Sequence, residues 1–147
     1  EVDGTKFGFL GFNFVDRGPT KSDLDLVRKS DSEADVLIVG VHWGSEYTQR
    51  ANKNQKDWAR LLVQNGADVI VGHHTHWVGE IEYIDGPPGG ASKPVYYSLG
   101  NFIFDQMWSQ KTRQGLVIRL TFKDGKMARE EKLPIYMSSW AQPEFVE

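Results

Sequence analysis

The sequence contains no cysteine, which excludes a disulfide framework, a thiolate metal site and a cysteine nucleophile. It also has no apolar run close to the roughly 20 residues that a membrane-spanning helix needs. Basic residues are not in excess, and the formal net charge of −3 argues against nucleic acid as the main partner. No phosphate-cradling GxxxxGK loop and no compact hydrolase triad occurs. We therefore expect residues 1–147 to form one soluble domain.

Histidine is scarce, but its few positions are concentrated. The sequence has four histidines, of which His73, His74 and His76 lie in one five-residue stretch and His42 stands alone. Each group follows an apolar run that is typical of a buried strand. Histidine is the commonest metal ligand among side chains and has a reference pKa of about 6.5. Crowding at strand ends therefore suggests metal chemistry.

Apolar periodicity predicts a βαβ unit followed by a β-rich segment. The continuous apolar run over 35–41 is typical of a central strand covered on both faces. Residues 52–65 have helical spacing, and 67–72 form the next strand, so a right-handed crossover is expected. The other predicted elements are strands over 6–14, 80–84, 94–99, 102–104, 116–122 and 127–136, a short helix over 23–28 capped by Thr20 or Ser22, and a loop over 85–90.

This topology predicts that the two histidine groups converge. The carboxyl ends of neighbouring parallel strands face one crevice, where open α/β sheets bind ligands. In an extended segment, His74 and His76 would share one face, and His42 would approach them from the adjacent strand. We predict that these three bind one metal ion, with water completing the site, while His73 points away to pack or to orient a ligand. The alternative is that all of them only pack or form loop hydrogen bonds.

The polar residues near these loops are weaker candidates. Glu46 is placed to orient an imidazole or to bind a substrate cation, although a solvated loop residue is an equal alternative. Asp68 lies at the opposite end of its strand and is expected to be structural. Asp105 either reaches the site or ends a strand. Asn101 follows a glycine in a tight turn, where asparagine tolerates left-handed backbone, so its role can be purely structural.

Three stretches, in this order, resemble the CapA-type poly-γ-glutamate capsule biosynthesis proteins of the calcineurin-like metallophosphatase superfamily. They are VHWGSEY at 41–47, GADVIVGHHTH at 66–76 and YSLGNFIFD at 97–105. The resemblance implies an α/β fold that leans toward α+β, namely part of a metallophosphatase β-sandwich flanked by helices. It also implies metals held by loops at strand ends, with manganese, zinc or iron as the divalent ion.

The resemblance extends to individual residues. His42 matches the family's lone histidine, and His74 and His76 match its paired metal histidines, with Thr75 where proline is usual. Glu46 and Asn101 are expected, as candidate catalytic residues, to tune the site or position substrate. The superfamily brings its first metal-binding aspartates and an Asn-His pair from a preceding region that has no counterpart here. The chain therefore resembles the C-terminal portion of a CapA-like domain.

The function implied for the full-length protein is metal-dependent hydrolysis, of the phosphoesterase class, at the cell envelope or its extracellular side. The expected substrates are an anionic polymer, a phosphoester or a γ-glutamyl compound, and other envelope proteins are expected partners. The alternative is a non-catalytic module that binds polymer or assembles a capsule synthesis complex. Its candidate basic residues are Lys53, Lys56, Arg60, Lys111 and Arg113. Unpaired sheet edges would also favour a homodimer.

Overall fold

Residues 1–86 and 90–146 are described by a computed structural model, and within them the chain forms two β-sheets and three helices. The elements are β1 (Phe7–Asn13), α1 (Lys21–Ser32), β2 (Val36–His42), α2 (Lys53–Gln64), β3 (Val69–His73), β4 (Ile81–Ile84), β5 (Lys93–Tyr96), α3 (Gln110–Arg113), β6 (Gln114–Lys123), β7 (Lys126–Ser139) and β8 (Gln142–Phe145). The mixed α/β class predicted from the sequence is confirmed.

The first sheet has the strand order β1-β2-β3-β5-β4, in which only β4 runs antiparallel to its neighbour. Helices α1 and α2 are the two crossovers and cover the same face of this sheet. Val27 of α1 and Leu62 of α2 are fully buried there against Val39 of β2. The predicted βαβ unit is therefore confirmed, and it aligns the carboxyl ends of β2 and β3 at one edge.

Helices α1 and α2 both begin with a reciprocal capping box. The Thr20 hydroxyl accepts the Asp23 amide at 3.2 Å, and the Asp23 carboxylate accepts the Thr20 amide at 2.8 Å. Asn52 and Gln55 form the same pair of bonds at the start of α2. Thr20, not Ser22, is the cap of α1. Among the described residues, no helix has the length and apolar character that crossing a membrane requires.

The second sheet, with strand order β6-β7-β8, lies against the face of the first sheet opposite the helices. Phe7 and Phe122 meet edge to face with ring centres 5.4 Å apart. The Tyr96 hydroxyl donates to Glu130 at 2.8 Å across the same gap. An apolar cavity of about 830 Å³ separates the sheets on the Phe9 side. The sequence predicted β6 and β7 as a terminal hairpin, but β8 and α3 were not anticipated.

The predicted strand over 102–104 is wrong. Phe102, Ile103 and Phe104 lie in an irregular loop with exposed side chains. A strand needs a neighbouring strand that pairs with its backbone. The pairing with β6 is made before this loop, where the Leu116 amide donates to the carbonyl of Leu99 at 2.8 Å. The predicted strand over 94–99 likewise ends at residue 96. Of the predicted loop over 85–90, residues 87–89 lie outside the described part of the chain.

Candidate functional site

The parallel register of β2 and β3 brings the four histidines to one edge of the first sheet. His42 and His73 are register partners, each the last residue of its strand. The rings of His42 and His74 lie with their centres 4.6 Å apart, and those of His74 and His76 lie 6.4 Å apart. All four line a cavity of about 540 Å³ together with residues of β6 and of the loop over 99–104. The structure thus brings together the histidines that the sequence separates.

The segment that carries His74 and His76 is not extended, contrary to the prediction. His74 has a φ of 94° and His76 a φ of 60°, both in the left-handed region. Thr75 is buried between them, and its backbone carbonyl accepts the Tyr47 amide at 2.8 Å. Strained backbone of this kind costs about 1–3 kcal/mol per residue and clusters at functional sites, where the surrounding structure enforces it. The alternation rule for strands therefore does not govern these two side chains.

His76 is the most constrained of the four rings. Its Nδ1 lies 2.9 Å from Oδ1 of Asn101. Tyr47 stacks on the ring at 5.9 Å between centres, and Phe104 lies at 5.1 Å. On the far edge, Nε2 lies 3.9 Å from a carboxylate oxygen of Glu46, too long for a direct hydrogen bond. Both candidate catalytic residues from the sequence, Glu46 and Asn101, are therefore neighbours of the same imidazole.

The electrostatics around His42 and His73 favour neutral imidazole. Removal from water lowers the pKa of His42, and the nearby His74 and His76 lower it further. At the cavity rim the pKa of His73 is also lowered, first by its partial desolvation and then by His42. Neutral imidazole is the form that donates a lone pair to a metal ion or accepts a proton. The lowered pKa values therefore favour the ligand-competent and base-competent form of His42 and His73.

The imidazole nitrogens of the cluster are of the type that metal sites use, but too few of them are arranged together to hold an ion. Imidazole suits zinc, iron and other divalent transition metals. Yet within residues 1–86 and 90–146 no group of three histidine, aspartate or glutamate side chains is arranged to hold an ion. The predicted ligand set of His42, His74 and His76 stays a prediction, and an ion there would need ligands beyond these three.

Two other sets of predicted residues have structural partners. Asp68, expected to be structural, accepts the Leu37 amide at 2.8 Å and pairs with Lys93 at 2.5 Å. The five candidate basic residues are all engaged: Lys53 pairs with Asp57, Lys56 with Glu80, Arg60 with Glu82, Lys111 lies over the Trp77 ring and Arg113 donates to the Met137 carbonyl. Three of these five charges are therefore balanced locally by carboxylates.

Sequence reasoning missed three residues that surround His76. Tyr47 and Phe104 contact its ring, and the side-chain amide of Gln106 donates to the Tyr47 hydroxyl at 3.2 Å. A signal for two of them was available, because Tyr47 and Phe104 lie inside the stretches 41–47 and 97–105 that carry the family resemblance. Gln106 directly follows the stretch 97–105.

Comparison with known proteins identifies the family of the chain. The profile of the bacterial capsule synthesis protein family PGA_cap matches residues 11–106, a range that contains the histidine cluster and Asn101. The chain belongs to this family. The resemblance to CapA-type proteins seen in the sequence is thereby confirmed.

Individual relatives support the same assignment. The chain is 37% identical over 112 residues to the PGA biosynthesis protein CapA of Bacillus subtilis, a match covering 76% of this chain and 28% of that protein. It is 35% identical over 103 residues to the capsule biosynthesis protein CapA of Bacillus anthracis, covering 69% and 23%. A probable polyglutamine synthesis accessory protein of Mycobacterium tuberculosis is 31% identical over 71 residues, covering 48% and 17%. The matched regions thus span about a quarter or less of these relatives.

Proposed function

We propose that this chain contributes part of a metal-dependent hydrolytic centre to a poly-γ-glutamate capsule synthesis protein. The observation that carries the proposal is the convergence of His42, His74 and His76 on one cavity of about 540 Å³ at the carboxyl ends of parallel strands. That edge is where open α/β sheets bind ligands. The names of the CapA relatives supply the capsule context.

In this proposal His42, His74 and His76 are ligands of a divalent ion, manganese, zinc or iron, and further ligands come from outside this group. Such an ion polarises a phosphoryl or acyl centre and lowers the pKa of a bound water toward neutrality. The chain's own side chains hold the site. Tyr47 and Phe104 both contact the His76 ring, and the exposed loop over 102–104 forms part of the cavity wall.

Glu46 has the position of a group that acts on a proton or on a cation. Its carboxylate is half exposed and lies 3.9 Å from Nε2 of His76. A carboxylate in that position attracts a cation placed between it and the ring. We therefore assign Glu46 to proton transfer or substrate positioning beside His76. The substrate class we propose is a phosphoester or γ-glutamyl compound of an anionic polymer, acted on at the cell envelope.

The test compares the histidines within one cluster in the full-length protein. His74→Ala and His76→Ala are measured for bound metal by mass spectrometry and for hydrolysis of phosphodiester and γ-glutamyl model substrates. His73→Ala is the matched control, because His73 belongs to the same cluster but is not a proposed ligand. We expect the ligand variants to lose more metal affinity than the roughly 10- to 100-fold that loss of an orienting neighbour costs.

Two results would decide against this function. Full metal content and activity in both His74→Ala and His76→Ala would remove the histidines from the centre. Poly-γ-glutamate binding that survives a chelator, without any hydrolysis, would instead support a non-catalytic role in polymer binding or complex assembly. The local pairing of Lys53, Lys56 and Arg60 with carboxylates does not favour that second role.

A further inference from the structure

The side-chain amide of Asn101 has an orientation that its surroundings determine. Asn101 is only 6% exposed. Its Nδ2 donates to the backbone carbonyl of Thr112 at 2.9 Å, and it also approaches Oε1 of Gln106 at 3.4 Å. A carbonyl oxygen can only accept, so rotating the amide by 180° would place Oδ1 against the Thr112 carbonyl oxygen, two acceptors in contact, and would lose the bond from Nδ2 to that carbonyl. Oδ1 must therefore face His76.

The fixed amide decides the protonation pattern of the His76 ring. Oδ1 of Asn101 is an acceptor, and it lies 2.9 Å from Nδ1 of His76. The hydrogen of this bond has to come from the imidazole, because Oδ1 has none to give. In the neutral ring, Nδ1 then carries the proton and Nε2 carries the lone pair. The nitrogen with the lone pair is the one beside Glu46, 3.9 Å from its carboxylate oxygen.

The remaining contacts hold the ring in this orientation. Tyr47 stacks on His76 with an interplanar angle of 27°, while Phe104 lies against it at 5.1 Å. Gln106 joins this arrangement to Asn101, since its amide donates to the Tyr47 hydroxyl at 3.2 Å. Turning the ring over would move Nδ1 away from Oδ1 and leave a buried acceptor without its partner.

From this geometry we infer that Asn101 is a positioning residue, which fixes His76 in the Nδ1–H tautomer and so leaves the Nε2 lone pair on the side of the ring that faces Glu46. The role of that lone pair as a metal donor rests on the proposed function, but the tautomer itself does not. Packing alone would not need a buried amide here, because an apolar side chain of equal size avoids the cost of desolvating two polar groups. Asn101 therefore acts through His76.

The direct test reads the tautomer by nitrogen NMR. Full-length protein is labelled with ¹⁵N-histidine, stripped of metal with a chelator and measured at pH about 8.5, some two units above the reference histidine pKa, so that imidazole is neutral. The His76 signals are identified by their loss in His76→Gln. We expect a protonated, pyrrole-like Nδ1 and an unprotonated, pyridine-like Nε2.

Two variants of Asn101 separate this role from simple packing. Asn101→Leu removes the acceptor for Nδ1, whereas Asn101→Asp keeps an oxygen in that position. Both variants lose the bond to Thr112, and Asn101→Asp also places an acceptor oxygen beside that carbonyl, so a tautomer kept only in Asn101→Asp is not explained by a smaller disturbance of the packing. We expect His76 to keep the Nδ1–H tautomer in Asn101→Asp and to lose it, becoming mixed or Nε2–H, in Asn101→Leu. An Nε2–H tautomer in the unmodified protein, or an unchanged Nδ1–H tautomer in Asn101→Leu, overturns the inference.

A zinc titration distinguishes failure of this inference from failure of the proposed function. With Zn²⁺ alone as the probe, we expect Asn101→Leu to bind about 10- to 100-fold more weakly and Asn101→Asp to retain most of the affinity. If the tautomer behaves as expected but no zinc binding depends on His74 or His76, the metal centre is refuted and the role of Asn101 stands. If zinc binding depends on those histidines but the tautomer of His76 does not change in the Asn101 variants, the role of Asn101 is refuted and the metal centre stands.

Discussion

The imidazole rings of His42 and His74 lie 4.6 Å apart between centres, at the ends of two neighbouring parallel strands. Their closeness means that charge on one ring disfavours charge on the other. Together with desolvation, this proximity lowers the pKa of His42. The pair therefore links the chemistry of the cavity to the stability of the fold.

We expect the chain to lose stability on acidification between about pH 7 and pH 5. An unfolded histidine titrates at about 6.5, while the pKa values of folded His42 and His73 are lowered. In that window the unfolded chain binds more protons, so the free energy of unfolding falls as the pH falls. Urea denaturation at several pH values, with a chelator present, measures the slope. His42→Asn combined with His73→Asn should flatten it, and a flat profile in the unmodified chain would contradict the prediction.

Asp23 at the start of α1 provides a second pH-dependent contribution. Hydrogen bonds from Arg17 and from the Thr20 backbone lower the pKa of Asp23 to about 2. Its contribution is therefore complete above about pH 4 and is lost as the pH falls toward 2. Asp23→Ala should reduce the free energy of unfolding by about 1 kcal/mol, the usual value of a cap. Asp25→Ala, in the same helix but with only exposed partners, is the control and should cost less than Asp23→Ala. Equal losses would show that the capping box is unimportant.

Gly72 is the glycine on which the histidine edge depends. A Cβ at this position would lie 2.1 Å from the Tyr97 carbonyl oxygen and 2.5 Å from Nε1 of Trp43. Gly72→Ala should therefore cost about 1–3 kcal/mol or more, because backbone and a buried indole would have to move. Gly11→Ala is the matched strand control, since its Cβ meets nothing within 4 Å. Thermal unfolding of the two variants compares them, and equal melting temperatures would refute the close packing.

The outer side of β1, at the border of the first sheet, leads us to predict self-association. Phe9 is 71% exposed there and borders the cavity of about 830 Å³ between the sheets. Among the described residues no strand pairs with this edge, which leaves backbone groups available to a second copy. Burying a phenylalanine contributes about 1.5–3 kcal/mol. Phe9→Lys should thus weaken association by at least about tenfold in sedimentation experiments.

The control for this experiment is Trp140→Lys, which replaces a similarly exposed aromatic (66%) in the turn between β7 and β8. It should leave association unchanged. A chain that is monomeric at every concentration tested would rule out the homodimer.

Local sequence patterns predicted much of the architecture. The apolar run over 35–41 and the helical spacing of 52–65 correspond closely to β2 and α2. An apolar run and helical spacing are patterns within a few consecutive residues, so they can be read from the sequence directly. The same patterns place the histidines at the carboxyl ends of β2 and β3. The failure at 102–104 has the opposite cause, because three apolar residues satisfy the strand pattern without a partner strand.

By itself, the sequence determined the βαβ unit, a capped first helix, the family and the strand-end location of His42, His74 and His76. Only the tertiary structure decided how these rings are held. The left-handed backbone at His74 and His76 and the Asn101 contact with Nδ1 depend on packing between segments far apart in the chain. Such contacts are set by where loops meet after the sheets assemble, and no periodicity within one segment encodes that meeting point.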